Sequence, residues 1–292
     1  MDVVLRHTVS TMSRTLLGDV AGGERHLAAG AAEADRLRLR LLRAQLRWAE
    51  FGFATWHGVG DAQELLDRAI EAHRRTELYE LYELGIFELA TNLLGLETGH
   101  VVEWPQAFQV REDLTWAAVR ASFAADRDAA DALVAERLAA EVPTVWLTLG
   151  HLTVLANLVA DLGLTHHAAT LVEQLLPDRD HLAMVGQVAS CGPVALPLAR
   201  LRTLLGDLDG ARDDLAVAVD LVARNDGGPS AMRCTLAQVE LDLAAGREPD
   251  RATLADLAAR AERLGLHRVV HRARELAELA GRPSGARASV RG

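Results

Sequence analysis

The sequence predicts an all-α fold of about six to seven helical hairpins, and three observations predict it. Half of the 292 residues are hydrophobic but only 4% are aromatic. This balance favours closely packed helices over β-sheets. A turn that ends in Gly in all copies but one, Ala124-Ala125, recurs at intervals of about 30 to 43 residues, which is typical of stacked helical hairpins. An Asp or Thr that can cap a second helix follows most of these turns.

The clearest hairpin spans residues 191–225, where the turn Leu205-Gly206 joins two apolar helices. In this pattern the Gly ends the first helix in a left-handed conformation. First helices are predicted near 36–56, 77–94, 112–125, 144–162, 193–205 and 230–245. Second helices are predicted near 61–75, 97–110, 127–141, 166–176, 208–224 and 251–264. The candidate caps are Asp19, Asp61, Asp126, Thr165 and Asp207.

The two ends of the chain complete the array. A weaker hairpin over 10–32 opens it, and a helix over 267–280 with a polar outer face closes it. We therefore predict one helical-repeat domain over residues 1–280. The loop over 178–192 is the best candidate for a break. Residues 281–292 are rich in Gly, Pro, Ser and Arg and are predicted to be a disordered tail.

Charge and composition exclude several functions. All 31 basic residues are Arg, so Schiff-base chemistry and a phosphate-binding loop with Lys are impossible. The net charge of -10 argues against direct nucleic-acid binding. The chain has two cysteines, Cys191 and Cys234, without the CxxC spacing of zinc or redox sites. The absence of these motifs favours a cytoplasmic protein. Cys191 lies at a predicted helix start, and a structural role is expected for it more than a reactive one.

No membrane attachment is predicted. The N-terminus lacks a long apolar core followed by small residues, so it does not resemble a signal peptide. Residues 144–160 lack charge, but Asn157 interrupts them and Asp161 follows at once. A buried helix of the array explains this segment better than a membrane span does.

The segment from about Ala90 to Ala280 resembles the tetratricopeptide-like C-terminal region of large actinobacterial transcriptional regulators that carry an ATPase module. The resemblance rests on Trp116 and its neighbours, the helix with Trp146, Leu176-Pro177, and Gly192-Pro193-Val194. It implies a right-handed superhelix used for interaction or regulation, here as a free-standing module. Such regulators usually have a bulkier residue soon after Gly-Pro-Val, whereas this chain has Ala195-Leu196-Pro197. We do not expect this chain to share the ATP hydrolysis or the DNA binding of those regulators.

Aromatic residues suggest where the module binds. All twelve lie between Trp48 and Trp146. Ordinary packing of larger side chains in the early repeats would explain this bias, and a binding surface would too. Because first helices normally line the concave face of such an array, the predicted contacts with a protein, a peptide or a small effector are Trp48, Tyr82, Trp116, Arg120 and Trp146.

An enzyme is the competing hypothesis. His151 lies within the most apolar helix, where a low dielectric would shift its pKa, and it would act as acid or base in an aromatic cavity. A core histidine bonded to the backbone is the commoner situation. The sequence contains no G-x-S-x-G or H-E-x-x-H motif. No cofactor is predicted.

Charged and histidine clusters leave further alternatives open. The stripe Arg36, Arg40, Arg43 and Arg47 could bind an anion, or pair with Glu77, Glu80, Glu83 and Glu88 on the next first helix. His166-His167 is predicted to lie in a solvated turn. His267 and His271 have the i, i+4 spacing of metal ligands but no third ligand, so no metal site is predicted. A monomer and a homodimer both agree with the sequence.

Overall fold

The computed structural model describes residues 2–58, 60–76, 86–100, 114–140, 147–186 and 189–280. About 80% of these residues are helical, which confirms the all-α class. The described helices are α1 Asp2–Leu16, α2 Val20–Arg36, α3 Arg40–His57, α4 Ala62–Arg74, α5 Ile86–Thr98, α6 Leu114–Phe123, α7 Arg127–Ala139, α8 Thr148–Leu162, α9 Thr165–Leu175, α10 Ala195–Leu205, α11 Leu208–Arg224, α12 Gly228–Ala244, α13 Arg251–Arg263 and α14 His267–Ala280. A short 3-10 helix spans Leu176–Asp178.

Several turns between paired helices follow the predicted chemistry, but Asp61 makes no capping hydrogen bond and Thr165 lies inside α9 and does not cap it. Gly163 and Gly206 end α8 and α10 with φ of 64° and 79°, a left-handed conformation that favours glycine. Asp126 and Asp207 then cap α7 and α11, because their side chains accept hydrogen bonds from the backbone amides of Ala129 and Gly210. Local sequence therefore sets where these helices end and begin.

Several predicted boundaries are wrong. The opening hairpin is not a short one over 10–32, because α1 and α2 together extend from Asp2 to Arg36. The helix predicted to end at Leu94 continues as α5 to Thr98, since Gly95 is accommodated within the helix. Gly99, with φ of 78°, provides the left-handed turn in its place.

The structure also contains a β-hairpin that the sequence analysis placed in a loop. Strand β1, Leu182–Val185, pairs antiparallel with β2, Ala189–Pro193. Both strands are short and largely buried, so they lack the apolar and polar alternation that would reveal a half-exposed strand. The hairpin packs against α3 and α8 and so fills part of the interior of the array.

Helices distant in the sequence meet and close the array on itself. The indole Nε1 of Trp56 on α3 donates a hydrogen bond to the carbonyl oxygen of Asn225 at 2.8 Å. The amide of Val20 donates to Oδ1 of the same Asn225 at 3.1 Å. At a second junction, α5 contacts α14. In a simple open array each repeat would contact only its neighbours.

Within the described ranges, no helix is both long and apolar enough to cross a membrane. At about 1.5 Å per residue, the 15-residue helix α8 is too short to cross a hydrocarbon core of about 30 Å. The predicted tail over 281–292, the first half of the helix predicted over 77–94 and most of the one predicted over 97–110 lie outside the described residues.

Candidate functional site

The first helices surround a central cavity. Helices α3, α5, α6, α8, α10, α12 and α14 all contribute to its wall, together with strand β2. Its volume is about 90 Å³, and it is open to solvent at its mouth. Because each hairpin turns its first helix inward and the array closes on itself, residues from both halves of the chain meet in one place.

Most of the cavity wall is apolar. Helices from the first half contribute aliphatic side chains and one aromatic ring, and later helices contribute Leu and Val. The apolar lining residues include Leu93, Leu96, Val119, Phe123, Val154, Leu158, Leu196, Leu236 and Val269. A wall of this kind excludes water from an apolar ligand and favours its binding.

Four arginines lie in the same wall, and Arg200 on α10 is the most extensively bonded of them in the described part of the chain. Its Nη2 donates to Oδ1 of Asp161 at 2.7 Å, and its Nε donates to Oε2 of Glu240 at 2.9 Å. A third bond runs from Nη1 to Oδ1 of Asn157 at 3.2 Å. The side chain is 11% exposed, so Arg200 acts as a buried cross-link between α8, α10 and α12.

The other arginines join α14 and α12 to the same network. Arg268 contacts Asp161, and Nε of Arg272 donates to Oε1 of Glu240 at 2.8 Å. Arg233 contacts Glu97 on α5. The network thus connects late helices to α5 and α8 through partly buried ion pairs.

The charged groups of this network shift one another's pKa. Burial alone would raise the pKa of Asp161, but the charges of Arg268 and Arg200 and the hydrogen bond from Arg200 hold that pKa well below its ordinary value. Against the same effect of burial, Arg200 and Arg272 lower the pKa of Glu240. Both carboxylates therefore stay ionised at neutral pH.

Arg233 has the least favourable environment of the four guanidinium groups. Burial and the positive charge of Arg268 together lower the pKa of Arg233 to about 10. The guanidinium of Arg268 also lies 5.8 Å from the ring centroid of Phe123, so the charged and apolar parts of the wall adjoin at that point.

Cys191 lines the cavity but has no helix dipole to activate it. It lies in β2 and not at a helix start, so that part of the sequence analysis is wrong. Burial raises the pKa of its thiol to about 12. The thiol is therefore protonated at neutral pH, which agrees with a structural role.

Of the five predicted contact residues, two tryptophans are buried in the core. Trp48 is 0% exposed, and its Nε1 donates to Nδ1 of His73 at 3.3 Å. Trp116 is 4% exposed. Neither indole offers the accessible surface that contact with a partner requires, because each fills space between packed helices. Arg120 is partly exposed on α6 and is not among the residues lining the cavity. Tyr82 and Trp146 lie outside the described residues.

His151 contacts Trp116. The indole Nε1 of Trp116 donates to Nε2 of His151 at 3.3 Å, and the two rings meet edge to face with centroids 6.1 Å apart. Because Nε2 accepts this bond, its lone pair is directed at the indole. His151 is not one of the cavity-lining residues.

The arginine stripe differs from the prediction. Arg36 ends α2, and Arg38 adopts a left-handed conformation before α3 begins at Arg40, so the four arginines do not share one helix. Their described partners are nearby acids: Arg36 pairs with Glu33, Arg43 with Asp35 and Glu50, and Arg47 with Glu50. Glu77, Glu80 and Glu83 and the side chain of Glu88 lie outside what the structure describes.

Three comparisons bear on this site and on the fold. A scan against protein-family models, a search of curated proteins and a search of solved structures find no match to this chain.

Proposed function

We propose that this chain is a non-enzymatic helical-repeat binding module that holds a small organic anion in the central cavity. The observation that carries the proposal is the composition of the cavity wall. It is apolar over most of its area, and its charged groups are four guanidinium groups against two carboxylates, those of Glu97 and Asp161. Such a wall suits a ligand with an apolar body and a carboxylate or phosphate head, because guanidinium groups bind these heads with strong, directional hydrogen bonds.

Arg233 and Arg268 are the best candidates to hold the head group. Within the described part of the chain, Arg233 pairs with the carboxylate of Glu97 and Arg268 with that of Asp161, whereas a guanidinium group carries five N–H donors. The remaining donors can therefore serve a ligand. Burial, and to a lesser extent the charge of Arg268, lowers the pKa of Arg233, and an anion close to both groups would oppose both effects.

In this proposal the hairpins form a tetratricopeptide-like right-handed solenoid whose ends meet. Closure converts the open concave groove of such a solenoid into a cavity, which favours a small effector over a protein or peptide. A regulatory role, as in the regulators that the sequence resembles, would follow if the ligand changed how tightly the array closes. The two free thiols, Cys191 and Cys234, support a cytoplasmic setting for the module.

The alternative of an enzyme centred on His151 has less support. That hypothesis requires an imidazole facing an enclosed cavity with a second polar group in reach. The described partner of Nε2 is an indole N–H, which occupies the lone pair that a general base would use.

Thermal denaturation with a matched set of ligands tests the proposal. Octanoate and octyl phosphate share an apolar chain and an anionic head, while octanol and octylamine keep the chain and change the head to a neutral and a cationic group. We expect an anionic member of the set to raise the melting temperature and the other two to leave it unchanged. Equal shifts with all four would indicate unspecific apolar binding and would contradict the proposal.

A further inference from the structure

A cluster of three potential metal ligands lies away from the central cavity, on second helices of consecutive hairpins. Asp131 is on α7, and His166 and His167 are the second and third residues of α9. Oδ1 of Asp131 lies 2.9 Å from Nε2 of His166 and 2.7 Å from Nε2 of His167. Both imidazoles therefore converge on one carboxylate oxygen. The prediction of a turn at these histidines is wrong because both lie in α9, and of the two only His166 is exposed to solvent as predicted.

The geometry points to a site for a divalent ion of the zinc class, and we propose that Asp131, His166 and His167 bind Zn²⁺. Their potential ligand atoms all lie within 4.8 Å of one another. Two imidazole nitrogens and one carboxylate oxygen are ligands that zinc takes in proteins. Magnesium and calcium prefer a shell of oxygen atoms, so this donor set discriminates against them.

The distances show how small a change binding needs. In a tetrahedral zinc site with metal–ligand bonds near 2.1 Å, the ligand atoms are about 3.4 Å apart. The imidazole nitrogens must therefore move away from the Asp131 oxygen by roughly 0.5 to 0.7 Å, and the two nitrogens, which lie within 4.8 Å of each other, must reach a similar spacing. In binding, the ion takes the place of the protons that the two Nε2 atoms share with the carboxylate.

Burial differs among the three side chains in a way that suits an accessible site. The side chain of His167 is 11% exposed, so packing fixes its position, while the side chain of His166 is 60% exposed. The exposed side leaves room for the ion to enter and for water to complete the coordination shell. A bound ion would join α7 to α9 and stiffen the outer surface of the array at these two hairpins.

The inference is independent of the proposed function, because the cluster shares no residue with the central cavity. Isothermal titration of the chelator-treated full chain with zinc chloride tests it. We expect one zinc ion per chain, and an affinity at least ten-fold lower in His166→Gln and in Asp131→Asn. His271→Gln is the matched control, because His271 is an exposed histidine of α14 paired with Glu275, and its affinity should equal that of the wild type.

His166→Gln decides the outcome even if a variant at the more buried His167 fails to fold. Absence of zinc binding in the wild type would overturn the proposal. So would binding that His166→Gln and Asp131→Asn leave intact, since the ion would then lie elsewhere. Magnesium chloride should not compete at millimolar concentration, and competition by magnesium would contradict the assignment to the zinc class.

Discussion

Arg200 and Asp161 form a partly buried ion pair, with Nη2 of the arginine 2.7 Å from Oδ1 of the aspartate. They lie on α10 and α8, first helices of consecutive hairpins. Arg200 also forms an ion pair with Glu240 on α12, the next first helix. Three hairpins are thus connected through one side chain at the wall of the central cavity. This arrangement makes the network both a structural cross-link and part of the candidate binding site.

Replacing Arg200 with Met should lower the free energy of unfolding by about 3 kcal/mol. The variant keeps the apolar stem but leaves two buried carboxylates with fewer partners, and removal of one member of a buried ion pair is strongly destabilising. Urea denaturation followed by circular dichroism measures the change. Arg212→Met is the control, because Arg212 pairs with Asp209 on the surface and its loss should change the stability by about 0.5 kcal/mol or less. Equal losses in both variants would contradict the role of Arg200.

The network should also make stability depend on acid pH. The folded chain holds the pKa of Asp161 and of Glu240 below the ordinary values of 3.8 and 4.5, so the unfolded chain binds more protons as the pH falls. The stabilising contribution is therefore complete above about pH 5.5 and is lost as the pH falls below about 4.5.

A double variant isolates this effect from that of other carboxylates. Asp161→Asn with Glu240→Gln should be much less stable than the wild type at pH 7, and the difference should shrink as the pH falls from 5 to 3. Urea denaturation at each pH gives the two curves. Curves that run parallel over this range would show that these two carboxylates are not the source of the pH dependence.

Gly150 on α8 lets the β-hairpin approach the helix. A Cβ built at Gly150 would lie 2.7 Å from the carbonyl oxygen of Met184 and 2.4 Å from Cγ2 of Val185. Gly150→Ala should therefore displace the hairpin and lower the free energy of unfolding by about 2 to 3 kcal/mol. Gly163→Ala is the control, since its Cβ would meet open space and only its left-handed backbone adds strain, of about 1 kcal/mol. A smaller loss for Gly150→Ala than for this control would contradict the packing.

Closure of the array can be tested at Trp56. Trp56→Phe keeps most of the ring but removes the hydrogen bond to the carbonyl oxygen of Asn225, 169 residues away. We expect a loss of about 1 to 2 kcal/mol of stability and faster amide hydrogen exchange at the start of α12, near Asn225. Unchanged exchange there would indicate that this bond does not hold the ends together. Trp48→Phe, which removes an internal bond to His73, should leave exchange at α12 unchanged.

The sequence was sufficient to predict the helical hairpins, because their turns depend on local chemistry. Gly206 with the cap Asp207 is one example, and the same logic placed the turn at Gly163. The β-hairpin could not be predicted in this way. Its strands are stabilised by burial against α3 and α8, which is a tertiary effect that short apolar segments do not reveal.

The candidate site was missed although the sequence contains a signal for it. Asn157, Arg200 and Glu240 each lie six residues before the Gly of their turn, so the repeat places polar groups at equivalent positions of three successive first helices. The distribution of aromatic residues led to predicted contacts at Trp48 and Trp116, but both side chains are buried in the core. Closure of the array brings Arg233 and Arg268 to the same cavity, and no local pattern predicts that closure.

Calorimetric titration of the protein with octanoate tests the central proposal most directly, with octyl phosphate as the second anionic probe. We expect one binding site per chain in the wild type and at least a ten-fold loss of affinity in Arg268→Met, because a hydrogen bond to a charged group contributes about 1.5 to 3 kcal/mol. Arg212→Met, on the outer surface, should bind as the wild type does. If neither anion binds, or if Arg268→Met binds as tightly as Arg212→Met, the central cavity is not an anion-binding site.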